Sequence, residues 1–170
     1  MILETQRLVL REITQEDFAA WHAILSDAET MAHYPAPFTE EKTRGWIEWS
    51  LRSYKEHGFG LWAVVLKETG EFIGDCGITL QNIDGEMLPE VGYHISKKHQ
   101  RSGYASEAAS ACIRYAFERF DFPAIYSYMK YTNAASYRTA EKCGLRFVKE
   151  YPDPVNTFTR VYRIKKEELK

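Results

Sequence analysis

Residues 100–106, which read QRSGYAS, stand directly before an apolar stretch with helical period. A glycine-containing loop that enters a helix presents unpaired backbone N–H groups at the positive end of the helix dipole, and such an end binds phosphate or pyrophosphate. Gly103 permits a backbone geometry or a close approach that a Cβ would obstruct, Ala105 leaves room at the first turn, and Arg101 adds positive charge. An ordinary polar turn that caps a helix fits the same residues, so both interpretations stay open at this point.

A second group of reactive side chains lies in residues 89–96, PEVGYHIS, which read as a strand. Because side chains alternate along a strand, Glu90, Gly92 and His94 fall on one face. A carboxylate buried beside aromatic rings has a raised pKa, as a base that works near neutral pH requires. We expect Glu90 to be the general base that takes a proton from a substrate, with His94 as a second candidate. A Glu90 that faces solvent or pairs with an arginine is the alternative.

The cysteines and histidines predict neither a metal centre nor a redox unit. Cys76, Cys112 and Cys143 are far apart and match no C-x-x-C pattern, so we expect reduced thiols. His94 and His99 are separated by a polar segment and have no evident third ligand, whereas zinc sites use three or four. We therefore expect no metal.

The bulk properties of the chain exclude several classes of protein. The 170 residues, 45% of them hydrophobic and 27% charged, predict a single domain over 1–170. A formal net charge of −2 gives no electrostatic basis for binding nucleic acid. No apolar run approaches the length of a membrane span, and charges interrupt the first residues where a signal peptide would be apolar. We expect a cytoplasmic protein.

The elements that must position these residues follow from hydrophobic periodicity and turn signals. Thr14, with Asp17 three residues on, predicts the start of one helix, and Thr39 and Gly58 predict the two ends of the next. Two further helices are predicted after the QRSGY loop and over residues 133–144. Strands are predicted over 7–13, 59–67, 72–80, 89–96, 124–131, 145–151 and 157–166. The order β-α-α-β-β-β-α-β-α-β-β predicts an α/β fold with a mixed sheet and helices on both of its faces.

The motif Q-x-x-G-x-A, formed by Gln100, Gly103 and Ala105 between a strand and a long helix, resembles the signature of the GNAT superfamily of acyl-CoA-dependent N-acyltransferases. The resemblance covers nearly the entire chain. Three more stretches, TQRLVLREITQEDF, GLWAVVLKETGEFIGDCGI and NAASYRTAEKCGLRF, resemble the branch that acetylates the N-termini of ribosomal proteins. That branch also includes spermidine and antibiotic acetyltransferases.

This resemblance implies acetyl-CoA as the co-substrate and the GNAT-type fold. It implies direct transfer of the acetyl group, through a tetrahedral intermediate, to a primary amine on a protein N-terminus or a small molecule. Backbone amides of Tyr93, His94 and Ile95 would contact the acetyl carbonyl, where we expect a β-bulge, and Asn133 would contact the pantetheine. The pyrophosphate would be held by the loop and the first helical turn, namely Gln100, Arg101, Ser102, Gly103, Tyr104, Ala105 and Ser106.

The sequence departs from the superfamily pattern at the residue that would donate a proton to the departing thiolate. Many superfamily members carry a tyrosine seven residues after the equivalent of Asn133, where this chain has Ala140. Ser136 matches a serine that the resembling branch places after its asparagine, and either Ser136 as a relay or water would protonate the thiolate. Because that tyrosine is missing, a non-catalytic acyl-CoA-binding module is the alternative function. The aromatic-rich strands near the C-terminus would allow a homodimer.

Overall fold

The computed structural model describes residues 1–170 and places twelve strands and helices along the chain. The strands are β1 (Leu3–Glu4), β2 (Leu8–Glu12), β3 (Leu61–Leu66), β4 (Phe72–Ile83), β5 (Glu86–Ile95), β6 (Ala124–Lys130), β7 (Arg146–Asp153) and β8 (Thr157–Lys165). The helices are α1 (Phe18–Leu25), α2 (Glu40–His57), α3 (Tyr104–Arg119) and α4 (Ala134–Lys142). The predicted order is confirmed, and the two-residue β1 is the one strand that the sequence did not predict.

Helix ends lie where the local chemistry predicts them. The Thr14 backbone N–H donates to Asp17 Oδ2 at 2.8 Å and opens the turn that leads into α1. At α2, the Lys42 N–H donates to the Thr39 hydroxyl, and Gly58 ends the helix with a φ of 78°. Both ends satisfy backbone groups that a bare helix terminus would leave unpaired.

All eight strands form one sheet in the order β1-β2-β3-β4-β5-β6-β8-β7. Every neighbouring pair is antiparallel except β5 and β6, which run parallel. These two strands are joined by one residue pair, Glu90 with Tyr126. Residues 91–95 of β5 therefore have no partner on β6, and the sheet opens at this point.

The helices cover both faces of the sheet, as predicted. On one face α3 packs against a cluster that includes Trp62, Val64 and Ile125. On the other face α1 and α2 pack against a smaller cluster that includes Leu61 and Ala63. Successive residues of β3 thus serve the two cores in turn, which is the period-2 pattern of a strand buried on both sides.

The predicted bulge near residues 93–95 was wrong. The register between β4 and β5 runs without interruption from Gly74–Ile95 to Ile83–Glu86. Irregular register occurs instead between β3 and β4 and between β7 and β8. The gap beside β5 arises because β6 stops pairing with it, and no extra residue is needed to produce it.

None of the helices combines the length and apolar character that a transmembrane span requires.

Candidate active site

The loop between β5 and α3 holds a run of free backbone donors. The N–H groups of residues 101–106 make no hydrogen bond within the chain, and the first helical bond of α3 runs from the Glu107 N–H to the Gly103 carbonyl. Arg101 and Gly103 both have left-handed backbone conformations, with φ of 64° and 81°. The loop with these dihedrals leads directly into a 16-residue helix. Free amides at a helix N-terminus can bind an anion.

Arg7, in the turn between β1 and β2, and Glu107 of α3 support this loop. The Glu107 carboxylate accepts from the Thr5 hydroxyl at 2.5 Å, from the Arg7 backbone N–H at 2.9 Å and from Arg7 Nε at 2.8 Å. Burial opposes ionisation of Glu107, but the bonds from Thr5 and Arg7 outweigh it and lower its pKa. The Arg7 guanidinium also lies over the Tyr104 ring, 4.3 Å from its centroid. A Cβ at Gly103 would lie 3.3 Å from Arg7 Nη2. The guanidinium is thus fixed at the edge of the free amides.

Of the other residues of this loop, some form hydrogen bonds within the chain and others are exposed. Gln100 Nε2 donates to the Ile95 carbonyl at 2.9 Å and ties the loop to the end of β5. The Ser106 hydroxyl donates to the Gly103 carbonyl at 3.1 Å. Arg101 and Ser102 are exposed. The side chain of Gln100 is therefore occupied within the chain, whereas the Arg101 side chain stands in solvent.

The N-terminus of α4 faces the open edge of β5. Asn133 Oδ1 accepts from the Ser136 N–H at 3.2 Å, so Asn133 caps the helix. The Tyr93 hydroxyl crosses from β5 and donates to the Ser136 carbonyl at 2.8 Å. Burial raises the pKa of Tyr93, although hydrogen bonding to Ser136 and Ser127 opposes this. Tyr93, Asn133 and Ser136 therefore lie together at one side of the gap in the sheet.

The other positions of α4 supply no phenol to this gap. Ala140 is buried at 2% exposure. Tyr137 stacks on Tyr162 with centroids 6.0 Å apart and planes 4° from parallel, and the Arg160 guanidinium lies 4.8 Å from the Tyr137 ring. Ser136, in the first turn of α4, lies beside Tyr93 and Asn133 instead.

Glu90 lies on the face of the sheet covered by α1 and α2. Its register partner is Thr79, and those of Gly92 and His94 are Gly77 and Asp75, so Glu90, Gly92 and His94 share a face as predicted. Glu90 keeps 8% of its surface exposed. Burial raises its pKa well above the ordinary value and the charge of Asp75 raises it further, while a hydrogen bond from the Tyr128 backbone acts in the opposite direction.

Gly92 separates the two candidate bases along β5. A Cβ at Gly92 would lie 3.2 Å from Glu90 Oε1, so the carboxylate leans over the glycine. His94 lies two residues further along the same face. Tyr34 and Trp46 close this region, with ring centroids 5.3 Å and 5.5 Å from that of His94. Burial raises the pKa of Tyr34, and the charges of Glu90 and Asp75 raise it further. Tyr34 nevertheless keeps 41% of its surface exposed, so it borders solvent.

Asp75 is the residue of this face that sequence reasoning missed. It is fully buried, and its Oδ1 is 3.0 Å from His94 Nδ1 while its Oδ2 accepts from Trp21 Nε1 at 2.8 Å. The one signal was a lone charge in the apolar strand FIGDCGI. Nowhere do three or more His, Cys, Asp or Glu side chains gather as a metal site would need.

Comparisons with known proteins agree with this geometry. Residues 7–146 match the family model described as the acetyltransferase (GNAT) domain. YkkB, an uncharacterized protein of Bacillus subtilis, is 35% identical over 162 residues, which is 93% of this chain and 94% of YkkB. An acetyltransferase structure from Agrobacterium tumefaciens superposes with a TM-score of 0.82 at 31% identity, over 95% of this chain and 92% of that one.

A more distant structure shares the fold. Spermidine N-acetyltransferase from Vibrio cholerae, in complex with CoA and spermine, gives a TM-score of 0.76 at 16% identity, over 97% of this chain and 99% of that one. At this identity the likeness concerns the arrangement of helices and strands.

Proposed function

The chain belongs to the acetyltransferase (GNAT) family, and from that premise we propose that it transfers the acetyl group of acetyl-CoA directly to a primary amine, on a small molecule or a protein N-terminus. One observation carries the proposal. The free amides of residues 101–106 lie directly beyond the unpaired edge of β5. A phosphate site and a strand-like slot are therefore contiguous, as a coenzyme with a pyrophosphate and an amide-bearing arm requires.

The residues around the gap fit the coenzyme. The amides of 101–106 and the dipole of α3 suit the pyrophosphate, and Arg7 lies beside them. The backbone of residues 93–95 has the free edge that an extended arm would pair with. Asn133 lies across the gap at the start of α4 and offers its side-chain amide. When bound, acetyl-CoA supplies an acetyl group activated as a thioester.

Glu90 acts as the base in this proposal. An amine attacks only through its neutral form, so one ammonium proton must pass to an acceptor on the enzyme. Glu90 lies on the face under α1 and α2, and its raised pKa makes its carboxylate a better proton acceptor than an exposed glutamate. The proton moves from the amine nitrogen to a Glu90 carboxylate oxygen, directly or through one water.

Ser136 holds a proton on the opposite side of the gap. Its carbonyl accepts from Tyr93 and its N–H donates to Asn133, so its backbone is held at the gap. In the proposal, the Ser136 hydroxyl donates a hydrogen bond to the sulfur that leaves, passes its proton to that sulfur and takes one from a solvent water in return. Since Ala140 and Tyr137 place no hydroxyl here, this work falls to the serine.

The test is the release of free thiol from acetyl-CoA in the presence of polyamines, aminoglycosides and short peptides with free N-termini, with the acetylated product identified by mass spectrometry. Glu90→Gln should lower kcat by about 10²–10⁴-fold, as for loss of a general base. Glu86→Gln, on the exposed part of the same strand, is the matched control and should keep wild-type turnover. Ser136→Ala should lower kcat while leaving the acceptor KM unchanged.

Two results would contradict the proposal. If no class of amine increases thiol release, the proposal of direct acetyl transfer to amines is wrong. If Glu90→Gln and Glu86→Gln have equal turnover, acetyl transfer to amines still stands but Glu90 is not the base.

A further inference from the structure

A buried carboxylate with two partners lies on the same face of the sheet as Glu90 and His94. Asp75 is fully buried on β4, and its two oxygens are held by side chains from different elements. Trp21 of α1 donates its indole N–H to Oδ2 at 2.8 Å. His94 of β5 meets the carboxylate through Nδ1, 3.0 Å from Oδ1 and 3.2 Å from Oδ2. A buried charge is retained only with such partners, so the three side chains form one unit.

This unit determines which nitrogen of His94 carries hydrogen. An ionised carboxylate only accepts hydrogen bonds, so His94 Nδ1 must donate to Asp75. In the neutral ring Nε2 then presents a lone pair. No hydrogen bond to Nε2 is formed within the chain, although only 10% of the His94 side chain is exposed. His94 therefore carries an oriented acceptor that the fold itself does not use.

Two aromatic side chains hold the His94 ring that carries the free Nε2. Tyr34 and Trp46 contact the His94 ring and fix its plane. Gly92 separates His94 from Glu90 along one face of β5, and the Glu90 carboxylate lies over this glycine, with Oε1 3.2 Å from where a Cβ would be. The Glu90 carboxylate and His94 Nε2 are thus two hydrogen-bond acceptors on one face of β5.

We propose that Asp75 is a positioning residue that holds His94 in its Nδ1–H tautomer, and that His94 Nε2 accepts a hydrogen bond from the attacking amine. The inference rests on the proposed function and assigns the acceptor amine to a position between the Glu90 carboxylate and His94. Glu90 takes up one ammonium proton and His94 binds a second N–H. A primary ammonium has three N–H groups and can therefore supply both contacts.

Asp75→Asn is the sharpest perturbation because it preserves shape and removes charge. Asparagine has a single side-chain oxygen, and the Trp21 N–H needs it. The amide NH₂ then faces His94 Nδ1 and moves the ring hydrogen to Nε2. The acceptor kcat/KM should fall roughly tenfold, the order expected for one lost hydrogen bond, while the Kd for coenzyme A stays unchanged. Asp84→Asn, at an exposed aspartate bonded to Lys149, is the matched control.

Two further measurements keep the proposal falsifiable if Asp75→Asn does not fold. The ¹⁵N shifts of His94 in the wild-type protein should report a neutral ring with hydrogen on Nδ1. His94→Gln should reproduce the loss in acceptor kcat/KM. Where the double variant Asp75→Asn/His94→Gln folds, its loss should be no larger than that of either single variant, because each change removes the same contact to the amine. Hydrogen on Nε2 in the wild type, or unchanged kinetics of His94→Gln, would overturn the proposal. Either result would leave amine acetylation by Glu90 standing, whereas an absence of thiol release in the wild type would end the proposed function itself.

Discussion

The phosphate cradle can be tested with two glycines that share a conformation and differ in surroundings. Gly103 has a φ of 81° and Gly70, in the exposed turn between β3 and β4, has a φ of 75°. Alanine in a left-handed conformation costs about 1–2 kcal/mol, which lowers Tm by about 2–8 °C in a chain of this size. A Cβ at Gly70 meets nothing within 4 Å, and a Cβ at Gly103 lies 3.3 Å from Nη2 at the far end of the Arg7 side chain, which needs to shift by only a few tenths of an ångström. Without ligand, Gly70→Ala and Gly103→Ala should therefore lose similar stability.

Coenzyme A should separate the two variants. At one hundred times its Kd, a ligand adds about 2.7 kcal/mol, or about 5–11 °C in Tm, to a protein that binds it only when folded. Gly70→Ala should keep this increase, measured by thermal unfolding with and without coenzyme A. Gly103→Ala should lose most of it, because alanine relieves its strain by turning φ toward negative values and rotates the adjacent amides away from their common centre. An equal ligand-induced rise in both variants would refute the cradle.

Two other perturbations follow from the same structure. Burial raises the pKa of Glu90, so the native state keeps its carboxyl proton at pH values where the unfolded chain has lost it. The free energy of unfolding therefore falls as pH rises above the ordinary glutamate pKa of 4.5. Glu90→Gln should flatten this fall, and an equal change of the urea midpoint with pH in the wild type and Glu90→Gln would contradict the assignment. Asn133→Ala and Thr39→Ala each remove a helix cap of 3.2 Å and should each cost about 1 kcal/mol in urea unfolding, but only Asn133→Ala should weaken coenzyme A binding in calorimetry.

The parts of the fold that depend on neighbouring residues were predictable from the sequence. Helix ends at Thr14, Thr39 and Gly58 follow from caps that act within four residues. The shared face of Glu90 and His94 follows from the period of a strand, which needs no knowledge of its neighbours. The free amides after residue 100 follow from a polar, glycine-containing entry into a helix.

Contacts between distant residues were not predictable in this way. Asp75 meets His94 across 19 residues because β4 and β5 pair in one particular register, and a shift by one residue would place Asp75 on the other face. Arg7 reaches Glu107 across 100 residues, through the packing of β2 against α3. The predicted bulge failed for a related reason, since an opening in a sheet can come from an extra residue or from a neighbour that stops pairing, and residues 93–95 do not distinguish these.

The single pair between β5 and β6 divides the strands of the sheet into two groups. β1–β5 form one group and β6–β8 the other, and the two are paired through Glu90 and Tyr126. Glu90 belongs to the first group, while Ser136 is carried by the helix that follows β6 in the second. On the proposed function, the group that removes a proton and the group that returns one therefore come from opposite sides of the opening that the coenzyme fills.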